Sequence, residues 1–398
     1  MKEGNRSMDI QAPKLPPLSE KVQALLKAAM AFGGVVFLFG LARAPERIWP
    51  SYLVSAFFIL TICLSGTLFI ALLNVSSARW GTAFRRVPEA MASCLPWAAG
   101  MVGLMLLFGG GSTLFEWSHA EVDPLIAAKS AWLNTPFFVA RLVFYFGVWI
   151  GLSSKIVGHS RRQDQDGDPA HGSANKGLSA LFLVLFGITF SGASFDLIMS
   201  LEAEWFSTIF GLYNFAGLFL TGLSTILLLV IMLRRMGPLK EAVSLEHVQD
   251  LATLVFSFSC FWAYLWFSQY MLIWYANLPE ETGYYMTRHT SLWATLSLAN
   301  LAFNWVIPFV MLLSRKMKRN EKLLAWVCGL VLVGHWLDLY IMVQPVFFPE
   351  GPALGLFELA PPIATLALFF WVFYEKLGTV ALLPVKDPSL PTSLAHHV

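Results

Sequence analysis

Long, unbroken apolar runs alternate along the chain with short gaps rich in charged and turn-forming residues. A membrane-crossing helix needs about 20 mostly apolar residues, and such runs fall near 22–41, 50–74, 91–110, 136–156, 178–199, 206–232, 251–275, 291–313, 323–344 and 355–375. The runs are continuous rather than alternating, and Leu, Phe, Ala and Gly fill them, so helices are expected and barrel strands are not. The predicted fold class is all-α, a polytopic membrane protein with about ten transmembrane helices in bundles. The pattern divides the chain into a tail at 1–21, a membrane domain at 22–377 and a second tail at 378–398. One long polar stretch, GHSRRQDQDGDPAHGSANKG at 158–177, is expected to be a flexible connection within the membrane domain.

Composition narrows the class further. The 398 residues are 57% hydrophobic and only 13% charged, whereas soluble domains carry about 25% charge. Too few charges remain to cover a globule of this size, which excludes an ordinary soluble enzyme, a nucleic-acid binder and a disordered scaffold. The net charge of +2 carries no information about partners, but the placement of the basic residues does. All of the 27 Lys and Arg residues fall on one side except Arg43, Arg47, Lys129 and Arg288, which lie opposite, and Arg141, which lies within the fourth helix. Lys2 and Arg6 of the leading tail belong to the majority. By the positive-inside rule both termini are expected to be cytoplasmic. The first helix is expected to be retained, because Pro45 directly follows the small-residue site Ala42–Arg43–Ala44 and would hinder cleavage there.

Motifs for nucleotide, metal or nucleophilic chemistry are absent. The chain has no phosphate-cradling loop, dinucleotide fingerprint, HExxH or nucleophile elbow. Cys63, Cys94, Cys260 and Cys328 lie singly in four different spans without ligand spacing, and are read as packing residues. No metal site and no cofactor bound by this chain are expected. A pair of haems would need His on facing helices, and only His335 is clearly within the membrane. His289 lies at the edge of helix eight, His119 in an outer loop, and His159, His171, His247, His396 and His397 on the cytoplasmic side.

What remains is a set of ionisable residues in apolar spans, each costing a few kcal/mol if charged and unpaired. In GHWLDLYIMVQP at 334–345, His335 and Asp338 are three residues apart, so they share a helix face and are expected to interact directly. The topology places Arg141, Asp196, His335, Asp338 and Glu358 together in the outer half of the bilayer, as a candidate proton path opening outward. Each has a bland alternative: Arg141 as the structural partner of Asp196 or Asp338, Glu358 as a solvated carboxylate at a helix start, His335 as a packing residue. No comparable charge set is expected in the cytoplasmic half, where Asn74, Asn304 and Ser257 are the polar candidates. Pro308 is expected to free the carbonyl of Asn304. Helix seven carries Trp262, Tyr264, Trp266, Phe267, Tyr270, Trp274 and Tyr275, read either as a quinone groove or as packing and interface belt.

Three stretches carry more than spacing: FDLIMSLEAEWFSTIFGLYNFAG at 195–217, FWAYLWFSQYMLIWYANLPEET at 261–282, and GHWLDLYIMVQP. With them the chain resembles the ActF-type membrane subunit of alternative complex III, a bacterial quinol to cytochrome c or oxidase oxidoreductase. The resemblance covers helices five to ten by motif and the first four by helix count and length. It implies a multi-pass protein of the bacterial cytoplasmic membrane, of the polysulfide-reductase membrane-subunit type. Its partners would be a larger paralogous membrane subunit, an iron-sulfur subunit and c-type cytochrome subunits, and those partners would carry the iron-sulfur clusters and haem c. Quinol would be oxidised near the outer face. Whether this chain itself touches quinol or quinone is left open, since the resemblance favours the larger paralogue as the quinol-binding subunit. Glu202, Trp205, Ser207 and Thr208 match the family pattern, as do Tyr275, Asn277 and Glu280. With Arg288 and His289, the residues Glu202, Trp205, Tyr275, Asn277 and Glu280 are candidates for outer-loop docking or proximity to quinone. The family has Pro and His after the SLE triplet where this chain has Ala203 and Glu204, so no His role carries over there.

Overall fold

A computed structural model describes residues 13–119 and 124–396, with the backbone alone at 125 and 291. Lys2, Arg6 and His397 therefore lie outside the described residues. Ten helices are long and apolar enough to cross a membrane: α1 (Glu20–Arg43), α2 (Pro45–Ser76), α3 (Arg86–Leu107), α4 (Thr135–Asp166), α5 (Ala170–Leu201), α6 (Phe210–Met236), α7 (Leu245–Ala276), α8 (Leu292–Met311), α9 (Glu321–Phe347) and α10 (Leu356–Gly378). The described residues contain no strand, and the protein is all-α. A short helix, Pro279–Arg288, joins α7 to α8 at the end of the bundle poor in Lys and Arg.

Local chemistry fixes several helix starts. Asn134 opens α4 by accepting from the Phe137 N–H at 3.0 Å, and Asn320 opens α9 by accepting from the N–H groups of Lys322 and Leu323. Ser244 and His247 form a reciprocal cap on α7. Each cap satisfies backbone donors that have no partner within the helix.

The core is built around α2 and α6. Both are buried nearly all round, which in a bundle marks a central helix rather than one with a lipid-facing stripe. α2 packs against α3, α5, α6, α9 and α10. By contrast, α1 has few buried residues and lies against α10 and α2 at the periphery. α7 divides its aromatics by face: Trp262 is buried, whereas Tyr264, Phe267, Trp274 and Tyr275 are exposed on the outside of the bundle.

The polar linker expected over 158–177 is mostly helical. α4 continues through Asp166 and α5 begins at Ala170, leaving a three-residue turn at 167–169. Arg161, Arg162 and Gln163 are good helix formers, and Pro169 suits a helix start, so polarity there marks a helix leaving the apolar layer. The stretch beyond Gly378 is also organised. It folds back over the Lys/Arg-rich end, where Asp387 pairs with Arg85 at 2.6 Å and Ser393 donates to the Trp80 carbonyl at 2.5 Å.

Candidate functional site

At the Lys/Arg-poor end the structure sorts the charged candidates into separate groups rather than one relay. Arg141 on α4 grips Asp196 on α5 with two parallel bonds, both of 2.8 Å. Trp132 and Tyr145 donate to the same carboxylate at 3.0 and 3.2 Å. The guanidinium also donates to the Trp132 carbonyl and lies over the Trp132 and Phe137 rings. This carboxylate is saturated and its countercharge is fixed, the arrangement of a structural lock. Glu358, at the start of α10, is fully buried and paired with Arg47 through three contacts of 2.9–3.1 Å. It is therefore not a solvated helix-start carboxylate.

His335 and Asp338 share α9 but no hydrogen bond joins them. His335 turns toward α2, with Nε2 at 3.4 Å from the Thr61 hydroxyl, and its Nδ1 has no partner. It fits only because position 217 on α6 is glycine: a Cβ there would meet the imidazole Cε1 at 2.8 Å. The spacing of three puts two side chains on one face, yet each follows the neighbour it can reach.

Asp338 is held by neutral donors from three other helices. The Tyr213 hydroxyl of α6 donates at 2.5 Å, Asn300 of α8 at 2.7 Å and the Trp262 indole of α7 at 3.1 Å. Asn304 continues the chain by donating to the Asn300 side chain at 2.6 Å. The backbone of α8 is wound as a π-helix over Ala302–Val306, immediately before Pro308, consistent with a proline that removes one helical bond and displaces a turn. Gly334 on α9 leaves the space that the Asn304 side chain fills, since a Cβ would approach it to 2.7 Å.

From Asp338 a cavity of about 90 Å³ runs toward the short helix Pro279–Arg288. Tyr213, Trp266, Gln269, Tyr270, Tyr284, Tyr285, Asn300, Arg288 and His289 line it. Trp262, Trp266 and Tyr270 follow one another at intervals of four along α7, which aims them at one face. Burial pushes the Tyr284 phenol up to about 12 and raises that of Tyr285 as well, so both remain neutral donors at physiological pH.

Arg288 lines the far end. Pro345 within α9 cannot donate to Ile341, and the Arg288 Nε takes that carbonyl at 3.0 Å. The same guanidinium donates to the carbonyls of Met342 and Tyr284, both at 2.8 Å, and pairs with Glu202 at 2.6 Å. Trp205 stacks on Tyr284 with centroids 4.1 Å apart. Glu202, Trp205, Arg288 and His289 thus gather near the cavity mouth. Tyr275, Asn277 and Glu280 do not, and are exposed. Asn277 is in the left-handed region, φ 50°, and ends α7.

A second buried charge set occupies the Lys/Arg-rich end, where none was expected. Arg86 in the first turn of α3 contacts the carboxylates of Glu89 and Asp164, and Ser160 donates to Glu89 at 2.5 Å. Arg86 lies in a Lys/Arg-rich gap of the hydrophobic pattern, which in sequence looks like solvent-facing chain. α3 begins five residues earlier than the apolar run near 91, and the extension of α4 supplies Asp164. Of the polar candidates for that half, Ser257 is exposed and bonds back to the Thr253 carbonyl, Asn304 belongs to the Asp338 group, and Asn74 binds Arg85 and Ser179. Among the described residues no group of three or more His, Cys, Asp or Glu side chains could hold a metal ion.

Tyr213, Asn300, Tyr284, Tyr285 and Arg47 are site residues that sequence reasoning missed. Tyr213 lay within a quoted motif, but nothing in one sequence ties it to Asp338. Compared with known proteins, the chain matches no family model and no curated protein.

Proposed function

We propose that the chain is an integral membrane subunit of a quinol-oxidising electron-transport complex of the alternative complex III type, and that it supplies a proton exit at the outer face. The observation that carries this reading is Asp338: a buried carboxyl bound only by neutral side-chain donors, standing at the inner end of a polar, aromatic cavity that reaches Arg288 and His289. No adjacent cation fixes its charge, unlike those of Asp196 and Glu358. The cavity, at about 90 Å³, suits a few water molecules better than a quinol ring. Quinol is accordingly oxidised on a partner, the larger membrane subunit. Each quinol yields two electrons, which pass to centres carried by the iron-sulfur and c-type cytochrome subunits, and two protons. Protons reach the outer aqueous phase through Asp338, cavity water and the Arg288–His289 mouth. The resemblance of 195–217, 261–282 and 334–345 supports placement in the bacterial cytoplasmic membrane, and the bundle of ten apolar helices supports a multi-pass membrane protein.

The test is purification of the native complex in mild detergent, with haem and iron-sulfur spectra and quinol oxidation measured on the eluate. Asp338→Asn is expected to leave the subunits associated and to lower turnover by roughly tenfold or more, the scale of a lost proton-transfer group. Unchanged turnover and proton release in an intact complex would overturn the proton exit. A scaffold role is the second reading, favoured by the saturated Arg141–Asp196 and Arg47–Glu358 pairs. It predicts that Asp338→Asn reduces the amount of complex rather than its specific activity.

A further inference from the structure

At the Lys/Arg-rich end, away from the Asp338 group, a cavity of about 300 Å³ lies between the end of α2, the start of α5 and the folded-back C-terminal stretch. Its charged lining is Arg79, Arg85, Lys176 and Asp387, an excess of two positive charges. Asp387 is engaged by Arg85 at 2.6 Å, and Lys176 reaches only the Ser77 hydroxyl at 3.1 Å. Arg79 is exposed and its side chain has no partner among the described residues. The lining also includes two buried amides, Gln163 and Asn175, at 4% and 5% exposure, whose side chains make no hydrogen bond among the described residues. The Asn175 Oδ1 and the Arg85 Nε are buried without a partner. Buried polar groups are seldom left unsatisfied, and two on the lining of one basic cavity point to a ligand. The first turn of α5 faces the same space through Pro169, Gly172 and Ser173, adding the positive end of a long helix.

We propose that this cavity binds the phosphate group of an anionic ligand, supplied by a phospholipid headgroup or by free phosphate. Arg79, Lys176 and the unpartnered Nε of Arg85 meet the phosphate oxygens, and the Gln163 and Asn175 amides donate through their nitrogens, the Asn175 amide turned so that its nitrogen rather than its Oδ1 faces the ligand. The site depends on the C-terminal stretch, because Asp387 orients Arg85 from that side.

The full-length chain purified in mild detergent provides the test. Equilibrium dialysis with radiolabelled inorganic phosphate reads free anion, and native mass spectrometry with phosphatidylglycerol against phosphatidylcholine reads the headgroup. Saturable binding of phosphate assigns a soluble anion; retention of phosphatidylglycerol over phosphatidylcholine without phosphate binding assigns a lipid. Either result must weaken by roughly tenfold or more in the Arg79→Gln/Lys176→Gln variant, the loss expected for a charge-assisted contact. Both positions are exposed, so the unfolding midpoint should hold, and Lys176→Gln alone gives an independent reading. Failure of both probes to bind saturably up to millimolar concentration, or binding that these variants leave unchanged, would overturn the site.

Discussion

Asp196 and Asp338 are both buried aspartates in the Lys/Arg-poor half of the bundle, and they are built in opposite ways. Asp196 receives two bonds from a guanidinium and two more from Trp132 and Tyr145. Asp338 receives three bonds, none from a cation, and borders a cavity. The same side chain is therefore riveted by a cation in one place and, in the other, held by neutral donors beside open space. Burial alone does not distinguish them; the charge of the donors and the access to space do.

The largest effect should come from breaking the rivet. Arg141→Ala leaves an uncompensated buried carboxylate and should cost about 3–5 kcal/mol, read as loss of folded protein or a lowered unfolding midpoint in detergent. A variant as stable as the wild type would remove the contrast with Asp338. Next in size, Gly217→Ala pushes a methyl group against His335 and should cost about 1–3 kcal/mol, the usual penalty of overpacking. Adding His335→Ala should recover part of that loss; if the double variant is no more stable than Gly217→Ala alone, the clash lies elsewhere. Asp338→Asn keeps the volume and replaces one acceptor oxygen, so a cost of about 1–2 kcal/mol is expected, well below that of Arg141→Ala in the same assay. Smallest of all, Tyr275→Ala removes a ring that is 83% exposed and should change stability by no more than about 0.5 kcal/mol. Its effect on recovery of partner subunits then reports docking separately from folding.

The spans were legible because a bilayer demands long apolar runs whatever else a helix does. Glu358 and Asp196 could be singled out as costly residues, but their partners are separated from them by 311 and 55 positions, and no local pattern links residues so far apart. The i, i+3 spacing of His335 and Asp338 correctly put both on one side of α9 and wrongly suggested a contact, since spacing fixes direction and not the neighbour. The Arg86–Glu89–Asp164 group was hidden for a different reason. Charged residues at a helix end resemble a loop until another extended helix covers them.

The central position of α2 also constrains how the protein is made. This helix leaves the ribosome before α9 and α10, yet its walls include both of them. Until they arrive, the Ser and Thr side chains of α2 and its future contact faces must be tolerated by lipid or by the insertion machinery. The shelter of α2 is thus incomplete until α10 has been made. A chain interrupted before α10 leaves one wall of α2 uncovered.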